Sequence, residues 1–300
     1  MHHKTAKKMI SSSEVLYFTD GISQGIRADG RSCDAIRPMS VDLGVVASAN
    51  GSCRVRSRGT DLYIAIKCDI GRPTSSKPRE GIVNVSVEFG CSVLPRLQDF
   101  TGRQATLEAD AFAEIVSSHV VALCLSGLNR EQFCIEPGRA CWIVSVDVLV
   151  EAIDGPILDP ISLGVRAAFM DLELPIVAVT PDGETRDGND KMPVVPRVEL
   201  TGDVWNPSSS GLPAICVSVG VFCENSVMLV DLDRIEENLA KSKGNNLITI
   251  SVNESGDCCG IHKFGSGALD PMAFRDVVSS GSVVGKGIAT LINSLVNQRN

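Results

Sequence analysis

The side chains able to do chemistry in this sequence are thinly spread, and their spacing excludes as much as it offers. Eleven cysteines are scattered through the chain, several inside apolar runs such as those holding Cys216 and Cys223, and none forms the Cys-x-x-Cys pair of a zinc site. An odd, dispersed set of thiols is expected to be free and buried, in a reducing compartment. Of the four histidines, His119 falls within an apolar stretch and is expected to be a satisfied structural residue. His2, His3 and His262 have no clustered partners in the sequence, so no resident metal or cofactor is expected. Cations gather in Gly71-Arg72-Pro73-Thr74-Ser75-Ser76-Lys77-Pro78-Arg79, where two prolines and a serine pair forbid regular structure. Arg72, Lys77 and Arg79 on such a loop suit the phosphates of a polyanion, and suit equally a mobile surface hairpin.

The chain that must position these groups has 300 residues, 44% of them hydrophobic, enough to bury a sizeable core. No apolar stretch approaches the ~18 uncharged residues of a membrane span, and Met1 to Ser13 is basic and polar, without the apolar segment of a signal peptide. A soluble intracellular protein is expected. The net charge of −8 argues against a free-standing nucleic-acid binder, because attraction to phosphate is the main sequence-independent source of that affinity. The average conceals an asymmetry: residues 1–103 hold 15 Lys/Arg against 10 Asp/Glu, and residues 104–300 hold 13 against 26. Most of these charges are expected on solvated faces.

Residues 41–69 alternate apolar and polar positions between glycine turns, the period of antiparallel strands. Thr101 and Gln104 have capping-box spacing, and Phe112, Ile115, Val116, Val120 and Leu123 follow at helical intervals up to Gly127, predicting a core-packing helix. Cys141 to Val150 is β-branched and nearly continuous, predicting a central strand buried on both faces. Asp154-Gly155-Pro156 turns the chain, and Asp159-Pro160 starts a helix carrying Ile161, Val165, Ala168 and Phe169. Residues 181–211 are too polar to build core. Beyond them come strands at 214–222, 227–230 and 247–252, a hairpin turn at 253–257, and a long helix from Asp270-Pro271 whose Gly281, Gly285 and Gly287 imply close packing. Strands then helix, twice over, predict an α/β (α+β) architecture with a pseudo-repeat. An N-terminal extension at 1–26 precedes a first half at 27–200 and a second at 201–300.

In this order the segments resemble the RNase PH family from about Ser13 to about Asn297. Arg27-Ala28-Asp29-Gly30-Arg31 with Arg37-Pro38 is similar to the family's opening motif, and Asn50-Gly51-Ser52-Cys53-Arg54-Val55 with Gly59-Thr60-Asp61 to its first strand pair. Cys134-Ile135-Glu136-Pro137-Gly138-Arg139, Gly265-Ser266-Gly267-Ala268-Leu269-Asp270-Pro271 and Val284-Gly285-Lys286 are closer to eukaryotic exosome ring subunits than to the bacterial enzyme. The resemblance implies the RNase PH fold (ribosomal protein S5 domain 2-like). It also implies a ring of six related subunits arranged as three heterodimers, S1/KH-domain cap proteins, RNA threaded through the pore, and residence in the nucleus, nucleolus and cytoplasm. No membrane is implied.

Active members of that family cradle inorganic phosphate with a stretch reading Asp-Gly-Gly-Thr-Arg-Thr, and use two carboxylates six residues apart, with a metal ion, in the attack on the RNA 3′ linkage. The matching stretch here is Asp154-Gly155-Pro156-Ile157-Leu158-Asp159. Leu158 stands where the arginine would be, and Asp159 puts an acid beside the place of a dianion. After Asp231-Leu232-Asp233, Glu237 falls at the first carboxylate position, but six residues on stands Lys243. Both defects imply a non-catalytic ring subunit that lines the RNA path. The alternative is an active phosphate-dependent 3′-to-5′ exoribonuclease using other groups, and a third is a binding protein that left the RNA machinery. Arg72, Lys77, Arg79, Arg96 and Arg103 are the candidate RNA contacts; metal and cofactors, none.

Overall fold

In a computed structural model, the structure describes residues 11–93, 103–179, 198–206, 211–222, 227–242 and 244–297. Helix α1 (Ser12–Ser23) opens the chain with a capping box between Ser11 and Glu14. Strands β1 (Met39–Leu43), β2 (Gly51–Ser57), β3 (Thr60–Gly71) and β4 (Ile82–Phe89) follow, then α2 (Arg103–Leu123), β5 (Cys134–Glu136), β6 (Ala140–Ala152), α3 (Leu158–Met170) and β7 (Leu174–Val179). Next are β8 (Val198–Trp205), β9 (Ile215–Phe222), β10 (Val227–Val230), α4 (Arg234–Ala240), β11 (Asn246–Val252), β12 (Cys258–Phe264) and α5 (Pro271–Asn297).

The first sheet runs β1-β2-β3-β6-β4, with β5 on β6; the second runs β10-β9-β11-β12; β7 and β8 form a hairpin. Among the described residues only β4 and β6 pair in parallel, because α2 gives that connection the length a parallel crossover needs. Helix α3 is the shared core element, packed on β2 and β3 of one sheet and on β9 of the other. Ile161, Val165 and Phe169 lose essentially all contact with water, each stabilising by about 1.5–3 kcal/mol. Gly164 lets this helix lie on the first sheet, since a Cβ there would drive into Ile64 and Val55.

Several expectations need correction. Strand β6 sits inside its sheet, but only one face is covered: Val144, Val146, Val148 and Val150 are buried, while Asp147 and Leu149 on the other face meet solvent. In α2, Val116, Val120 and Leu123 pack inward, but Phe112 and Ile115 are exposed, so its apolar stripe is wider than its buried one. Strand β8 lies within the polar 181–211 segment, and its Trp205 stands edge-on to Phe133, 6.2 Å between ring centres. Cβ atoms at Gly281 and Gly285 would meet Ile250 and Val252, whereas Gly287 faces open space. The thiols of Cys53, Cys124, Cys141 and Cys216 are buried, but those of Cys91, Cys258 and Cys259 are exposed. Residues 181–197, the Thr101 cap and Cys223 lie outside the described residues.

Candidate functional site

The turn between β6 and α3 meets the turn between β10 and α4, and arginines from the N-terminal motif bind the two together. Gly155 adopts φ +93° with its α-carbon against the Leu232 carbonyl, so closely that any Cβ would collide with it. Arg37 reaches Asp154 at 3.1 Å and Asp231 at 2.7 Å, and donates to the carbonyls of Asp154 and Leu232. Burial works against the Arg37 charge, but Asp231 and Asp154 more than offset it, holding the guanidinium above its ordinary value. Arg31 takes the second Asp231 oxygen at 2.8 Å. Asp231 itself sits at φ +50°, a left-handed conformation costing roughly 1–2 kcal/mol for an L-residue that these hydrogen bonds hold in place.

Below this turn, Arg27 is wholly buried and forms a two-pronged pair with Glu236, at 2.9 and 2.6 Å. It also donates to the Val230 and Asp231 carbonyls, so its remaining N–H groups are used. Glu236 completes a capping box with Asp233 at the start of α4. Burial raises the Asp233 carboxyl, with hydrogen bonds from the α4 backbone opposing.

The retained carboxylates are therefore committed to structure. Asp231 is held by Arg31 and Arg37, Asp233 caps α4, and Glu237 pairs with Lys241 at 2.6 Å. A divalent ion at Glu237 would have to displace that ammonium, and among the described residues no group of three metal-ligating side chains converges. This donor set does not fit a metal ion. Lys243 lies outside the described residues.

Leu158, which stands where the arginine would be, is buried in the main core. Asp159 does face the site, lining a cleft with Ile36, Met39, Leu163 and Asp231. Its carboxylate accepts hydrogen bonds from the Ser218 amide at 2.9 Å and the Ser218 hydroxyl at 2.7 Å. Dense packing pushes this carboxyl up to about 7; the Ser218 bonds oppose the rise, and Asp231 and Glu237 add to it. Asp159 thus carries only part of a charge at neutral pH. It obstructs an anion less by repulsion, as its sequence position implied, than by taking the Ser218 donors for itself.

A row of polar side chains crosses the second sheet from Asp159. Ser218 and Thr249 share a hydrogen bond at 2.8 Å. Thr249 stands opposite Ser218 on one side and His262 on the other, so all three share a face. His262 in turn lies 4.4 Å from His119 of α2, ring centre to ring centre. The expectation that His262 lacks a clustered partner is therefore wrong: the fold supplies one from a distant helix. Ser218 and Thr249 were visible as lone hydroxyls inside Ile215-Cys216-Val217-Ser218-Val219-Gly220-Val221-Phe222 and Asn246-Leu247-Ile248-Thr249-Ile250-Ser251-Val252, a signal sequence reading passed over.

Arg72, Lys77 and Arg79 are exposed on the β3–β4 loop, Lys77 paired with Glu80 at 2.9 Å. The Thr60 end of β3 touches the site, since Asp154 donates its amide to the Thr60 hydroxyl. The cationic loop leaves the other end, roughly 35 Å away along the strand. Arg96 lies outside the described residues, and Arg103 begins α2 without a described side chain.

Comparison with known proteins covers both halves. Residues 35–175 match the model of the 3′ exoribonuclease family, domain 1, and residues 213–281 match domain 2. The chain is 27% identical to the exosome complex component Rrp42 of Methanopyrus kandleri over 86% of this chain and 87% of that one. It is 25% identical to the exosome complex component RRP45 of Danio rerio over 96% of this chain and 67% of that one. A chain of the Archaeoglobus fulgidus exosome with RNA bound to the active site superposes with a TM-score of 0.67 at 22% identity, covering 91% of this chain and 95% of that one. Two family domains in sequence, and the two-sheet fold that accompanies them, make this chain a member of the RNase PH family of 3′ exoribonucleases.

Proposed function

We propose that this chain is a structural, non-catalytic subunit of an exosome core ring, supporting 3′-to-5′ RNA processing and degradation and lining the RNA path. The observation that carries the reading is the Asp159 carboxylate, which accepts both Ser218 donors as an internal substitute for an anion. The pairing of Glu237 with Lys241 adds to it, and the relatives named as exosome components favour the assembly. Partners are other RNase PH-like subunits, as a heterodimer and then a six-membered ring, with S1/KH-domain cap proteins above, in the nucleus, nucleolus and cytoplasm. Uncovered apolar side chains fit such neighbours: Val283, Leu291 and Leu295 on α5, and Leu16 and Tyr17 on α1, are more than half exposed. Among the described residues, strand β12 also ends its sheet with no further strand beyond it.

The test is incubation of the isolated chain with labelled single-stranded RNA, inorganic phosphate and magnesium. No nucleoside diphosphate is expected, while mixing with an RNase PH-like partner yields a stable heterodimer. Nucleoside diphosphate release that Glu237→Gln abolishes would overturn the reading in favour of active phosphorolysis.

A further inference from the structure

We propose that His119, His262 and Phe264, with Lys241 beside them, form a stacking platform for an unpaired base of single-stranded RNA where α2 meets β12. This inference rests on the RNA-path reading above and locates it on named residues. The three rings come from two elements and form one cluster. His262 and Phe264 lie two apart on β12, 4.2 Å between centres, and His119 reaches them from α2 at 4.4 and 5.9 Å. All three are half-buried, fixed by packing yet in contact with solvent. Rings held in this way stack a base at little conformational cost, and every base has a π-face, so the contact tolerates any sequence.

Two further features point to a ligand with both charge and hydrogen-bonding capacity. The Lys241 ammonium lies 5.8 Å from the Phe264 ring centre, and its side chain remains 45% exposed despite its bond to Glu237. It has donors to spare for a phosphate next to a stacked base. The Nδ1 atom of His262 is buried without a hydrogen-bond partner, a state that costs free energy unless something satisfies it. His262 stands opposite Thr249, which stands opposite Ser218, so the platform continues the face that carries the two hydroxyls. Burial and the neighbouring His262 both lower the His119 pKa, which favours a neutral ring here.

The experiment titrates the full chain, by fluorescence anisotropy, with an oligouridylate carrying 4-thiouridine and with a matched strand containing abasic positions. The wild-type chain is expected to prefer the base-bearing strand about tenfold or more. His262→Gln and Phe264→Leu bring that preference close to one, and the photo-crosslink maps to β12 or α2. Lys241→Gln makes the salt dependence shallower by about 0.7 in log K against log salt, which loss of a purely structural lysine would not do. If Phe264→Leu unfolds, His119→Gln on the helix surface carries the same test. A wild-type chain that binds neither strand overturns the RNA-path reading and the platform with it. Binding whose base preference survives all the ring substitutions overturns the platform alone, as does a crosslink that vanishes on ring assembly because a neighbouring protein covers the rings.

Discussion

Asp159 makes the stability of this protein depend on pH in a way that one substitution removes. Its folded pKa is about 7 against an ordinary value of 3.8, so the folded chain holds a proton that the unfolded chain has released between those values. The folded state then binds more protons, and linkage requires stability to fall as pH rises through this window. The contribution is complete below about 3.8, lost as pH passes 7, and changes by about 1.4 kcal/mol per pH unit in between. From pH 5 to pH 8 the expected loss is about 2.5 kcal/mol, and roughly 2 kcal/mol once the remaining solvent contact of Asp159 is allowed for. In Asp159→Asn the amide oxygen still accepts from the Ser218 backbone and its NH2 donates to the hydroxyl, so the fold is retained without a titrating group. Urea unfolding followed by circular dichroism at intervals across pH 5 to 8 measures both proteins, and the difference between the two curves isolates this one carboxyl. The variant is expected to gain on the wild type by roughly 2 kcal/mol toward pH 8. Parallel curves would show that Asp159 is an ordinary ionised carboxylate and that repulsion, not occupation of donors, is its part in the site.

Arg27→Met leaves Glu236 buried without its cation and should cost about 3–5 kcal/mol in urea unfolding, with partial recovery in the double variant carrying Glu236→Gln; a loss below about 1 kcal/mol would mean that the pair does not hold the α4 turn. Gly285→Ala places a Cβ 2.9 Å from the Val252 Cβ and should lower stability by about 1–3 kcal/mol. Gly287→Ala meets nothing within 4 Å and should raise it by about 0.5–1 kcal/mol, so thermal melts of the two should move in opposite directions.

The legible part of the fold was the part set by local periodicity. Strand β9 and helix α3 stood out because their apolar spacing is unbroken, and the two-half organisation followed from the order of such segments. Helix α4 was missed: its seven residues are too short for a periodic signal, and what makes it a helix is the Asp233 and Glu236 capping box. Strand β12 was missed because it is a sheet edge, and its exposed Cys258, Cys259 and Lys263 blur the apolar alternation. In the candidate site, the substitutions at Leu158 and Asp159 were readable as departures from a motif. Their physical meaning was not, because it depends on Ser218, 59 residues later, and no spacing rule connects the two. The same holds for His119 and His262, which sequence separates and the α2–β12 contact joins.

The arginine network holds the shape of the site independently of the groups around it. Arg27, Arg31 and Arg37 do not face outward to a ligand; their guanidinium groups are used up on Glu236, Asp231, Asp154 and the carbonyls of the 230–232 turn. They set the separation of the two turns that meet at Gly155 and Leu232, whatever stands at the neighbouring positions. Removing a carboxylate of this network would strand a buried cation at a cost of several kcal/mol. Exchanging a group outside this network strands no buried charge. Substitutions therefore separate by consequence for folding: those at the turn acids and their arginines leave a buried charge unpaired, whereas those outside the network leave the two joined turns in place.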